Sequence, residues 1–148
     1  MLSRDEVVGI VRRHLESKFP KTCLVCGRQY MSLADYLLRT KHLGHPVSGD
    51  NPLSRIDPAR LIGTISYATC PCGSTLAINS VGIDLPTMLK LLQWAAVHMV
   101  RDGMTVGELL NELRGWIDDE VLREHFARES AAETSELHPD HACAIGDT

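Results

Sequence analysis

The sequence predicts an α+β domain that is mostly helical, with an N-terminal helix, a cysteine-knuckle module on a short β-hairpin, and a set of C-terminal helices. Three observations carry this. Apolar residues recur at helical spacing near both ends of the chain. Two short β-prone runs bracket Cys70-Pro71-Cys72-Gly73. A second close pair, Cys23 and Cys26, directly follows the first helix. At 148 residues the chain is long enough to bury a core without covalent cross-links.

The elements follow in order. Ser3-Arg4-Asp5-Glu6 is a capping box, in which the Ser3 hydroxyl accepts an amide three residues on and Glu6 reaches back. The helix it opens carries Val7, Ile10, Val11, His14 and Leu15 on one face, and Pro20 stops it. Ser32 begins a short helix through about Lys41, with Leu33, Tyr36, Leu37 and Thr40 on one side, ended by Gly44 and Pro46. Residues 44–60 hold three prolines and two glycines and predict an irregular connection. Thr64–Thr69 and Thr75–Val81 then form the hairpin.

Asp84 caps a helix over Leu85–Arg101, with Pro86 harmless in its first turn. Leu85, Met88, Leu89, Leu92 and Met99, together with Leu91, Trp94 and Val97, make it apolar on more than one side, which predicts burial in the domain or in a partner. Asp102-Gly103 breaks it. Thr105-x-x-Glu108 caps the next helix, whose stripe runs Val106, Leu109, Leu110, Leu113, Trp116 and Ile117. That stripe loses phase near Asp118-Asp119, predicting a kink or a new start there, with Leu122 and Phe126 on a rotated face. Residues 1–129 read as one domain and 130–148 as a flexible, aperiodic tail.

The composition, 44% hydrophobic and 23% charged, is that of an ordinary globular chain and excludes a disordered one. No apolar run is long enough to span a membrane, and the acidic first residues are unlike a signal peptide, so the expected compartment is the cytoplasm. In a reducing compartment close cysteine pairs point to metal rather than disulfides. The net charge of −4 is uneven: residues 1–60 hold ten Lys/Arg against six Asp/Glu, and residues 61–148 hold five against thirteen.

Cys23-Leu24-Val25-Cys26-Gly27 is a knuckle whose spacing aims two thiolates at one ion while backbone amides turn toward the sulfurs. The glycine supplies the positive φ that so tight a turn needs. Cys70-Pro71-Cys72-Gly73 is the same device one residue shorter. Zinc takes four tetrahedral ligands and accepts four thiolates in closed structural sites. The two Cys-x(1–4)-Cys-Gly knuckles, the second at a hairpin, resemble those of zinc-ribbon and treble-clef zinc proteins. That resemblance covers residues 23–27 and 70–73 and implies Cys23, Cys26, Cys70 and Cys72 as ligands of one structural Zn2+. It implies nothing about a substrate.

Other assignments stand beside this one. Cys23, Cys26, His42 and His45 form a two-Cys two-His set, and TCLVCGRQYMSL resembles the start of the finger in Ros/MucR-type bacterial transcription regulators. Against it, Tyr36 stands about where such a finger places its first histidine, and Gly44 and Pro46 break a helix beneath His42 and His45. His42 replacing one cysteine is a smaller variant. Four thiolates also suit iron, which would make the site a redox or oxygen sensor, although no ferredoxin spacing is present. His14 and His98 read as satisfied core histidines, and His138, His141 and Cys143 as an adventitious metal-binding group in the tail.

No Walker loop, GxGxxG, GxSxG or HExxH is present, and a closed four-thiolate site keeps no open position for a catalytic water. The expected function is thus a non-catalytic regulatory or adaptor protein acting through protein contacts, with a partner or a second copy docking on the helices of residues 85–126. The alternative is a nucleic-acid-binding regulator using the basic segment 12–41, with Arg28, Arg39 and Lys41 as its contacts.

Overall fold

The computed structural model describes residues 1–48 and 64–136. It is α+β and mostly helical, with four helices and a small antiparallel sheet. Helix α1 spans Arg4–Glu16, and its capping box is complete: the Ser3 amide donates to Glu6 and the Glu6 amide to Ser3 Oγ. It stops before the expected Pro20, because the amides of Ser17, Lys18 and Phe19 turn back onto the last carbonyls. Strands β1 (Lys21–Thr22) and β2 (Gln29–Tyr30) pair antiparallel across the first knuckle, and α2 spans Leu33–Arg39 under its Ser32 cap.

Here the structure corrects the sequence reading. The second helix ends at Arg39, not near Lys41, and Lys41–Ser48 is a strand, β3, rather than the start of an irregular connection. Strand β3 is the edge of a sheet ordered β3-β4-β5, with β4 at Thr64–Thr69 and β5 at Thr75–Asn79. Its pairing with β4 shifts register between Leu43 and Val47, and Gly44 lies in that interval with φ 68°. A bulge at an edge is where a sheet tolerates both a left-handed glycine and a proline without an amide, so Gly44 and Pro46 mark a bulged strand. The rest of the expected connection, residues 49–60, lies outside the described residues.

Helix α3 covers Leu85–Asp102, with Asp84 at its N-cap and Gly103, φ 65°, closing its C-terminus. Helix α4 runs unbroken from Val106 to Glu136, so no new helix starts at Asp118-Asp119. The apolar stripe rotates around one continuous helix because α4 meets different neighbours along its length. Leu109 packs with Trp94 and Val7, whereas Ile117 and Val121 join the sheet and α2. The helix also continues past Ser130 to Glu136, where only polar propensity and no burial sustains it. The residues after it, with His138, His141 and Cys143, lie outside the described residues.

The core has two centres. One joins Tyr30, Leu33, Tyr36, Ala68, Leu76 and Ile78 to Ile117 and Val121, with Cys23 and Cys70 at its edge. The other gathers Val7, Trp94 and Leu109. Arg12, whose side chain is only 14% exposed, ties α1 to α4 through Glu120 and Glu124 while also holding Glu16. The expected burial of α3 on all sides is not found within the chain: Trp94 is its one buried residue, and Leu85, Leu89, Leu92 and Val100 are exposed. Among the described residues no helix is long and apolar enough to cross a membrane.

Candidate metal centre

Each knuckle is the turn of a hairpin. In the first, the Cys23 amide bonds the Arg28 carbonyl at 2.8 Å and the Gly27 amide bonds the Cys23 carbonyl at 2.8 Å. In the second, Cys70 reaches the Ser74 carbonyl at 2.9 Å and Gly73 the Cys70 carbonyl at 2.8 Å. Gly27 and Gly73 adopt φ of 75° and 90°, the left-handed conformation that the sequence pattern requires of them. The amides freed by these turns point at sulfur: those of Val25 and Cys26 toward Cys23, that of Arg28 toward Cys26, and that of Cys72 toward Cys70.

The two turns face each other. The sulfurs of Cys23, Cys26, Cys70 and Cys72 all lie within 4.8 Å of one another. Cys23 and Cys72 are 3.8 Å apart, as are Cys26 and Cys70. A tetrahedral ion with metal–sulfur bonds of about 2.3 Å places its sulfurs about 3.8 Å apart, which these two separations match and the other four approach to within about 1 Å. The group can therefore hold a metal. Cys23 and Cys70 are buried, whereas Cys26 and Cys72 face solvent, so the centre sits at the rim of the core.

The surroundings are built for thiolate. Ser74 Oγ lies 3.0 Å from the sulfurs of both Cys23 and Cys72. With the amides of Cys26 and Val25, that contact holds the Cys23 thiol down to about 6. The fully buried Tyr30 donates its hydroxyl to Cys70 Sγ at 3.0 Å and lowers the Cys70 thiol, helped by the Cys72 amide. Burial, together with that sulfur, raises the Tyr30 hydroxyl to about 12, so it remains a donor. Cys26 goes the other way. The Arg28 amide favours its thiolate, but burial and the sulfurs of Cys23, Cys72 and Cys70 outweigh it and hold the thiol up at about 11. So many sulfurs cannot all ionise together without a cation among them. Tyr30 and Ser74 are the contributors that spacing rules miss. Ser74 directly follows the Cys-Pro-Cys-Gly turn, but Tyr30 reaches Cys70 only through the fold.

The rival histidine is elsewhere. His42 Nε2 lies 2.7 Å from Asp118 Oδ2, on the strand-to-α4 contact. His14 bonds the Val81 carbonyl, and His98 stacks on Trp94 and pairs with Asp102, so both are satisfied structural histidines. Of the basic candidates, Arg28 and Lys41 are exposed. Arg39 is held by both Asp35 oxygens at 3.0 Å, by the Gln29 carbonyl and by the Tyr30 ring.

The chain matches no protein-family description, no curated protein and no solved structure at a significant level. Function therefore rests on the site and the surface alone.

Proposed function

We propose that this chain is a zinc-stapled, non-catalytic regulatory or adaptor protein that works through protein contacts. The observation that carries the reading is the mutual closeness of four sulfurs, which fills a tetrahedral shell with protein ligands. A shell so filled offers no position for a substrate or an activated water, so the metal acts as a staple between the two hairpins. Zinc is favoured over an iron–sulfur cluster because a cluster spreads its thiolates around several irons, further apart than one ion holds them. A colourless protein containing one zinc per chain, purified without air, supports the reading. A visible charge-transfer band with iron bound contradicts it.

The contact surface is α3. Leu85, Leu89, Leu92, Ala96 and Val100 recur at intervals of three and four along it and are all exposed, with Leu92 and Ala96 also lining the hollow beneath the helix. That spacing suits pairing with another helix, and a second copy of this chain carries the same stripe. Arg39 is already committed to Asp35, which weakens the basic segment as a phosphate-binding surface and favours the protein-contact reading over the nucleic-acid one.

A further inference from the structure

Between the sheet and helices α1, α3 and α4 lies a cavity of about 520 Å3, within the range of small-molecule sites. Its walls are mostly apolar, with Val11, Ile78, Leu91, Trp94 and Leu113 among them. It divides the two core centres where a close-packed interior would leave little space.

Two groups in the wall have no partner. Tyr36 and Ser80 line the cavity, are 2% and 9% exposed, and their hydroxyls find no hydrogen-bond partner among the described residues. A buried hydroxyl left unpaired is destabilising and uncommon in native proteins, and two in one wall point to polar atoms of something the cavity receives. A third polar group gives that molecule a sign. Arg114 also lines the cavity, and its guanidinium donates to the Gly44 carbonyl and Asn111 Oδ1, both neutral, at 2.9 Å each. Among the described residues no carboxylate pairs with it, and the neighbouring Asp118 is taken by His42.

We propose that the cavity binds a small amphipathic acid, with its apolar body between the sheet and α3, its carboxylate on Arg114, and a further polar atom within reach of a wall hydroxyl. Guanidinium and carboxylate match in geometry and charge, and the Asp118 carboxylate that also lines the cavity is paired with His42. The site is separate from the four cysteines and goes beyond the adaptor reading.

The probes are dodecanoate and dodecanol, titrated below their aggregation limits into the metal-loaded full chain and followed by calorimetry and by tryptophan emission. Dodecanoate is expected to bind once per chain, about tenfold or more tighter than dodecanol. Arg114→Gln should erase that preference while leaving dodecanol unchanged. Ala95→Trp, and independently Leu110→Trp, should fill the cavity and abolish binding with metal content and circular dichroism intact. Equal affinity for the two probes, no saturable binding, or binding that survives in a folded cavity-filled variant would overturn the proposal. So would binding that appears only after residues 50–62 are deleted, since chain would then be the occupant.

Discussion

At the scale of single residues, the metal centre depends on atoms that are not ligands. Tyr30 is fully buried and spends its hydroxyl on Cys70, and Ser74 serves two sulfurs at once. Partners of this kind orient ligands and tune their basicity. Tyr30→Phe keeps the ring packing and removes only the donor, so metal affinity should fall about tenfold at neutral pH while the protein stays folded. Competition against a chelator of known affinity measures it, and an unchanged affinity would show that the hydroxyl is incidental.

Proton linkage belongs to the same scale. Metal binding requires thiolates, so any proton on a ligand must leave. The four sulfurs titrate as one coupled group in which Cys26 favours its thiol and Cys23 its thiolate. Binding therefore releases protons, and affinity should fall as the pH is lowered. Calorimetry in buffers of different ionisation enthalpy counts the protons directly, and an affinity that does not change between pH 8 and 5 would contradict the assignment.

At the scale of elements, Arg12 carries the charged link between α1 and α4, beside the packing of Val7 and Val8. Arg12 reaches Glu120 and Glu124 across the interface, and its guanidinium lowers the proton affinity of the Glu124 carboxyl. The arginine is largely buried but the glutamates are two-fifths exposed, so the network is worth more than a surface pair and less than a buried one. Arg12→Ala should lower stability by about 1–2 kcal/mol in urea unfolding. Because the Glu124 carboxyl is depressed from its ordinary 4.5, the Arg12–Glu124 contribution is present above that value and lost as the pH falls below it. The difference between Arg12→Ala and wild type should therefore shrink in acid.

The elements also show why part of the fold was legible. Capping boxes at Ser3 and Thr105, the Asp84 cap and the two knuckle hairpins are local devices, with signal and structure within a few residues of each other. Strand β3 was not legible, because Gly44 and Pro46 mean one thing in isolation and another on a sheet edge, and only pairing with β4 decides. The continuity of α4 was hidden for a related reason. Its stripe rotates to follow separate core centres, which a single-face reading takes as a break. Gly44→Ala places a side chain at φ 68° and should cost about 1 kcal/mol, although nothing lies near enough to clash.

At the scale of the whole molecule, the four cysteines were readable as types and spacings, but their convergence into a group that can hold a metal is a product of the fold, as are the Tyr30 contact and the cavity. The exposed stripe on α3 was visible as apolar residues, and only the structure separates it from the side that Trp94 buries. If the stripe pairs with a second copy, the metal-loaded chain should sediment as a dimer at tens of micromolar, and Leu89→Asp should return it to monomer with metal retained. A monomer at that concentration would contradict self-association through α3.

The central claim is the ligand set, and metal content tests it most directly. Wild type, Cys70→Ser and His42→Ala, purified side by side without air and analysed for bound metal, should show one zinc per chain in wild type and in His42→Ala, because His42 is engaged with Asp118. Cys70→Ser should lose most of its metal. Full metal in Cys70→Ser together with loss in His42→Ala would contradict the four-cysteine centre.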